Sequence, residues 1–393
     1  MRTWLLPEQI EDLLPAQAQH MENLRRRALD FFKVHGYELV TPPLLEYTES
    51  LLSGSGRALE LKTFKLVDQL SGRMMGVRAD TTPQVARIDA QLLNRQGVTR
   101  LCYAGSVLHT TAEGKHQSRQ PFQVGAELFG YEGLEADIEI QRLAIDLLET
   151  LGVKAAQLDV GQPSIFRALC NTANLSAVAA QNLFHAIQAR DVPQLKIETA
   201  ALLAAGLINE QIGESFVALP TLHGTIECLA RAREIMPADT QVQAAIDALE
   251  RCAQALKTSN MKTSIDLAEL GGFEYENAIV FSVFAQGAPD AICRGGRYDG
   301  VGSVFGRARA ATGFTLDLKL IGQLVPLDTA RTPAILAPWA SNHAGLPEAI
   351  AALRAQGRIV RVSLPGQQAH TAELQCDQEL VYLNDAWQLQ KRT

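Results

Sequence analysis

With 393 residues, 47% of them hydrophobic, the chain is long enough for one large and one smaller domain and can bury a sizeable core. A net charge of −7 offers no long-range attraction to a polyanion, no basic run stands out, and no apolar stretch has membrane-spanning length. The six cysteines (Cys102, Cys170, Cys228, Cys252, Cys293 and Cys376) form no C-x-x-C pair, which disfavours a zinc cage or a disulfide framework and suits a reducing compartment. The opening "MRTWLLPEQIEDLLP" has only a short apolar run before acidic residues and proline, so a soluble, cytoplasmic chain is expected.

In chain order, Met21, Leu24, Ala28 and Phe31 recur at helical spacing within 16–33, and Gly36 follows where a left-handed cap would sit. "YELVTPPLLE" reads as a strand whose Pro42 and Pro43 mark a sheet edge or the end of pairing. Short strands are predicted at 64–67 and 74–77. In "RADTTPQVARIDAQLL" Thr82 is placed as the cap of a helix with Pro83 at its first position and Val85, Ile88 and Leu92 on its buried side. "GSVLHTTAEGKHQSRQPFQVGAELFG" (105–130) reads as two strands joined by a polar loop. A helix over 135–151 ends at Gly152, and the strand "AAQLDV" follows. From 163 to 258 the composition turns to alanine and leucine at helical period, which predicts a helical insertion. Strands return at "KTSIDL" and "NAIVFSVFA", then a glycine-rich turn "CRGGRYDG", then "ATGFTLDLKLIGQL". Val325 to Pro333 reads as a linker. "PAILAPW", a helix through Glu348 to Arg354 and "RIVRVS" form a small β-α-β unit. Grouped antiparallel strands with helices elsewhere argue for an α+β core.

Alternate side chains of a strand share a face. In "PFQVGAELFG" Phe122, Val124, Ala126 and Leu128 point one way, and Gln123, Gly125 and Glu127 the other, with Phe129 closing that second face. The second face is either a solvent-exposed sheet surface or a polar pocket in which Glu127 meets an ammonium group and Gln123 orients another polar atom. "VRADTT" puts Asp80 and Thr82 where a strand gives way to a helix start and backbone N–H groups are free. "RGGRYDG" offers Arg294, Arg297, Tyr298 and Asp299 on what is either a turn with an internal Arg–Asp pair or part of such a pocket.

Taken in order, "GYELVTPPLLE", "VRADTTPQVAR", the 105–130 hairpin, "CRGGRYDG" and "TGFTLDLKL" resemble the motifs of class II aminoacyl-tRNA synthetases, specifically the histidyl-tRNA synthetase pattern, over about residues 5 to 322. The resemblance implies a class II synthetase-like antiparallel sheet flanked by helices. One domain would span 1–325, with the helical insertion at about 163–258, and a small C-terminal α/β segment 326–393, smaller than that family's anticodon-binding domain. It also places Asp80, Thr82, Gln123, Glu127, Tyr275 and Tyr298 at histidine-contacting positions. The nucleotide side departs from the pattern: His109 stands for the arginine that holds the α-phosphate, Thr111 for a glutamate near the adenine, and Gly271 and Leu320 for two further arginines. Each lost cation removes a charge-assisted phosphate contact that a neutral side chain cannot replace. Glu276 replaces the second of a tyrosine pair.

This combination is similar to the family of ATP phosphoribosyltransferase regulatory subunits. That likeness implies a non-catalytic chain with a short-form ATP phosphoribosyltransferase catalytic subunit as partner, L-histidine as allosteric effector, and a homodimer within a hetero-octamer. No cofactor, tRNA or membrane is expected. The alternatives are a working histidyl-tRNA synthetase and a histidine sensor with another partner. Thr312-Gly313-Phe314-Thr315 imitates a phosphoribosyl-pyrophosphate loop, but "GRARA" precedes it where that loop needs a strand ending in paired carboxylates. His109 and His116 lack acidic or cysteine partners at metal-ligand spacing, and hydrolase signatures such as G-x-S-x-G are absent.

Overall fold

A computed structural model describes residues 5–53, 56–112, 117–154, 156–257, 261–271, 276–327, 333–366 and 373–392. The chain divides into two compact units, Met1–Leu327 and Asp328–Thr393.

In the larger unit the strands are β1 (Glu38–Leu39), β2 (Leu45–Tyr47), β3 (Lys65–Val67), β4 (Met74–Val77), β5 (Thr99–Ser106), β6 (Phe122–Phe129), β7 (Ala156–Gly161), β8 (His223–Gly224), β9 (Lys262–Asp266), β10 (Val280–Ala285), β11 (Cys293–Arg297) and β12 (Ala311–Asp317). Nine of them form one sheet in the order β1-β5-β6-β12-β11-β10-β7-β9-β8, while β2, β4 and β3 form a separate three-stranded sheet. The large sheet is antiparallel through its centre, with parallel pairing of β1 on β5 and of β7 on β9.

The alternation in β6 has the expected consequence. Val124, Ala126 and Leu128 are buried in the main core, packed with Ile140, Ala144 and Leu147 of the helix Leu134–Leu151 and with Leu24, Ala28 and Phe32 of the helix Pro15–Val34. The first of these helices ends at Gly152, whose φ of 96° is the left-handed conformation that glycine adopts at least cost. Six α-helices and a short 3-10 turn, Leu219–Thr221, follow between Pro163 and Leu256, interrupted by one two-residue strand. Ser176, Asp191, Asn209 and Asp239 each accept a hydrogen bond from the first-turn N–H groups of the helices they precede, which explains four of these starts locally. Their apolar stripes, including Leu183, Leu195, Phe216 and Leu249, join the same core.

Four local expectations are corrected. "YELVTPPLLE" is two strands, because Pro42 and Pro43 lack the N–H groups needed to continue pairing, and β1 and β2 therefore belong to different sheets. Thr82 is the first residue of the helix Thr82–Arg87, with Thr81 in the cap position, and the Thr82 side chain is used elsewhere. Leu92 is 68% exposed, because the helix passes into a π-helical segment, Ile88–Leu93, whose i→i+5 bonding breaks the 3.6-residue period. "CRGG" is strand rather than turn: β11 runs to Arg297 and the chain turns after it. The T-G-x-T stretch lies inside β12, paired on both sides, where it cannot wrap a phosphate.

The smaller unit has a four-stranded sheet in the order β14-β13-β15-β16, formed by β13 (Ala334–Pro338), β14 (Ile359–Ser363), β15 (Gln378–Leu383) and β16 (Ala386–Lys391), with the helix Leu346–Ala355. Ile335, Ala337, Leu346, Val360 and Leu380 form its own core. The β15–β16 hairpin was not expected from the sequence. Its turn residues, Asn384 and Asp385, have φ of 50° and 59°, and these are the two side chains after glycine that best tolerate that region.

Candidate functional site: a buried carboxyl ringed by hydroxyls

The face of the sheet opposite the main core brings together β5, β6 and β12. Gly125 lies between Tyr103 of β5 and Thr315 of β12, and Glu127 lies opposite Gly313. A Cβ at Gly313 would overlap the Glu127 carboxylate and crowd the Ala126 carbonyl, so glycine at that position is what allows Glu127 to lie flat across the sheet. Gly313→Ala is expected to lower the unfolding midpoint by several degrees, of the order that ~1–2 kcal/mol produces, and to displace Glu127. A thermal melt unchanged from the wild type would count against this packing.

Glu127 is 1% exposed. Its Oε1 accepts hydrogen bonds from Thr82 Oγ1 (2.9 Å) and Tyr103 Oη (3.2 Å), and its Oε2 accepts one from the Tyr298 hydroxyl. Tyr103 also bonds the Thr315 hydroxyl and lies 3.2 Å from Thr82 Oγ1. Among the described residues the hydrogen-bond partners of this carboxyl are hydroxyl groups, with no cation among them. Burial therefore dominates and pushes its pKa up to about 8, against the three hydroxyl donors that favour the ionised form; nearby Asp80 adds to the rise. Burial likewise raises Tyr103 well above its ordinary value.

Nearer the rim, Gln123 Oε1 accepts from Thr81 N (3.0 Å) and Thr81 Oγ1 (2.8 Å), while its Nε2 donates to Asp80 Oδ1 (3.1 Å). Thr82 N donates to the same Asp80 oxygen at 3.3 Å. These bonds fix the amide orientation of Gln123 and the loop carrying Asp80. Tyr298 is placed by Arg297 beside it, whose buried guanidinium grips Asp137 through Nε (3.0 and 3.1 Å) and Nη2 (2.9 Å). The same guanidinium bonds the carbonyls of Tyr131 (3.2 Å) and Gly133 (3.0 Å). Asp299 receives Arg297 Nη1 at 3.3 Å and Ala311 N at 2.9 Å, which closes the turn after β11.

Asp80, Thr82, Gln123, Glu127 and Tyr298 are thus joined in one hydrogen-bonded group, and Tyr275 lies outside the described residues. Tyr103, Thr81 and Thr315 belong to the group and were not singled out in the sequence. Tyr103 was recoverable, because alternation along "TRLCYAGS" puts it on the face opposite Cys102 and the hairpin register puts it across from Gly125. The other expected positions fall differently. His109 is buried, its Nε2 donating to the Ala79 carbonyl (2.9 Å) and its backbone N to Arg119 O (2.8 Å). Thr111 is exposed on the loop. Gly271 has φ 54°, and a side chain there would run into the Glu276 carboxylate. Leu320 is buried in the main apolar core. His116 lies outside the described residues, and among the described ones no group of three His, Cys, Asp or Glu side chains could hold a metal ion. No described helix is long and apolar enough to cross a membrane.

Comparison with solved structures defines the class. The fold matches a chain from Bacillus halodurans C described as an ATP phosphoribosyltransferase regulatory subunit/histidyl-tRNA synthetase, with a TM-score of 0.82, 23% identity, and coverage of 94% of this chain and 96% of that one. It also matches the histidyl-tRNA synthetase of Nostoc sp. PCC 7120, with a TM-score of 0.78 at 16% identity, over 100% and 95% of the two chains. The larger unit therefore has the α+β fold of class II histidyl-tRNA synthetases, and the histidyl-tRNA synthetase family pattern itself matches residues 9–321. Residues 332–390, which the synthetase resemblance had left uncovered, match the family described as ATP phosphoribosyltransferase subunit HisZ C-terminal domain. Full-length relatives include the ATP phosphoribosyltransferase regulatory subunits of Ralstonia pickettii, 50% identical over 99% of this chain and 98% of the relative, and of Burkholderia cenocepacia strain J2315, 49% identical over 100% of both. The chain belongs to the family of ATP phosphoribosyltransferase regulatory subunits, and its role is regulatory rather than catalytic.

Proposed function

We propose that this chain binds L-histidine at the Glu127 site and carries that signal to a short-form ATP phosphoribosyltransferase catalytic subunit, which performs the chemistry. The observation that carries this reading is Glu127 itself, a fully buried carboxyl whose partners among the described residues are hydroxyl groups, as would suit a group that receives a positively charged ligand. With Asp80, which Gln123 holds in place, it forms a pair of acceptors suited to a ligand bearing two N–H donor groups, as histidine does with its ammonium and imidazole. Thr82 and Tyr298 orient Glu127, and Tyr103 and Thr81 complete the wall. Tyr275 is assigned to the same site from the synthetase resemblance alone. Thr111, Gly271 and Leu320 offer no cation to a triphosphate and the His109 ring is buried against the Ala79 carbonyl, so neither ATP use nor tRNA charging is expected of this chain.

Histidine then acts as an allosteric inhibitor, which requires that it bind the inhibited arrangement of the complex more tightly than the active one. The assembly is a homodimer of this chain within a cytoplasmic hetero-octamer, without a cofactor. The test is an activity assay of a short-form catalytic subunit with and without this chain, titrated with histidine. Activation by the chain and loss of activity on adding histidine are expected. A catalytic subunit indifferent to the chain, or histidine-dependent pyrophosphate exchange by the chain alone, would refute the reading.

A further inference from the structure

Arg78 follows β4 and is 7% exposed. Its Nε donates to Ser106 O (2.9 Å) and its Nη1 to Pro42 O (2.9 Å), both backbone carbonyls. These oxygens satisfy two N–H groups but leave the charge unbalanced, and no carboxylate pairs with Arg78 among the described residues. Other arginines of this unit differ: Arg294 pairs with Asp290 (2.7 Å), Arg297 with Asp137 (2.9 Å), and Arg309 with Asp89 (2.9 Å). A buried guanidinium without a counter-ion is costly, so its retention needs a reason.

Its position supplies one. The Nη2 end lies against Gly105, where any Cβ would collide with it. Gly105 pairs with Gln123 and, two residues from Tyr103, shares that residue's face of β5. The cation therefore stands on the same sheet face as Glu127 and Gln123, one strand position from the amide that bonds Asp80.

We infer that Arg78 receives the α-carboxylate of the bound amino acid, so that the pocket selects a zwitterion with a free carboxyl group over the corresponding amino alcohol or amine. This rests on the reading of the Glu127 site as a histidine site and adds the group that faces the opposite charge of the ligand.

Titration calorimetry of the full chain with histidine and with histidinol, in which a hydroxymethyl group replaces the carboxylate, tests it. The wild type is expected to favour histidine by about tenfold or more, the size of a desolvated charge-assisted hydrogen bond. Arg78→Gln should abolish that preference by weakening histidine alone, and Arg78→Lys should restore part of it. Equal affinities in the wild type would overturn the assignment whatever the variants do. So would a preference that survives in Arg78→Gln, or a variant that loses both ligands together, since that marks a structural role. A wild type that binds neither ligand defeats the histidine site itself.

Discussion

Glu127→Ala is expected to reduce histidine affinity by about 100-fold or more, because removing one partner of a buried charge pair costs ~3–5 kcal/mol. Glu127→Gln is the more telling variant, since it keeps volume and hydrogen-bonding capacity while removing the ionisable group. Burial pushes the Glu127 carboxyl from its ordinary value of 4.5 up to about 8. The folded state therefore holds a proton that the unfolded chain releases, and the stability this confers is full below about pH 4.5 and is lost as pH rises through about 8. The slope should approach ~1.4 kcal/mol per pH unit inside that window. Denaturant unfolding at a series of pH values should show this fall in the wild type and a flatter profile in Glu127→Gln. A cationic ligand reverses the shift, so histidine binding near neutrality should release a proton and tighten toward pH 8. Calorimetry in buffers of different ionisation enthalpy would reveal the release; the same apparent enthalpy in every buffer would mean that Glu127 is already ionised in the free protein.

Arg297→Leu is expected to destabilise the larger unit by ~3–5 kcal/mol, the largest stability effect at any single position discussed. Both partners of the Arg297–Asp137 pair are about 95% buried, and the same guanidinium also satisfies the carbonyls of Tyr131 and Gly133. Its loss strands a carboxylate and two carbonyls at once. The double variant Arg297→Leu, Asp137→Leu should recover a substantial part, because the uncompensated charge has gone with its partner. Urea unfolding of the two single variants and the double would measure the coupling. Additive losses would show that the pair is not the bracing element. Because Tyr298 is the next residue and bonds Glu127, Arg297→Leu should also weaken ligand binding beyond what its stability loss explains.

Those elements whose cause is local were legible in the sequence. Period-two alternation in β6 and period-3.6 stripes in the helices at 15–34 and 134–151 report directly which face is buried, and glycines at 36 and 152 mark the stops. What failed depended on partners distant in the chain. Thr82 looks like a cap because capping is the commonest local use of threonine, and nothing near it in sequence reveals Glu127, 45 residues away. Tyr103 was overlooked for the same reason, since its role arises only when the hairpin pairs and β12 closes on the other side. The π-helical turn that exposes Leu92 has no local signature that was recognised. The Arg–Asp pair suspected inside "RGGRYDG" does exist between Arg297 and Asp299, but the stronger contact is with Asp137, 160 residues away.

The hydrogen bond from His109 to the Ala79 carbonyl ties the stretch after β5 to the segment that leads into the helix Thr82–Arg87. Ala79 precedes Asp80, so the imidazole braces the segment whose Asp80 accepts from Gln123 and Thr82. An arginine at 109 would withdraw that bond, and at 271 the left-handed backbone and the Glu276 carboxylate both resist a long cationic side chain. At both positions an arginine would therefore disturb contacts that hold the present fold together.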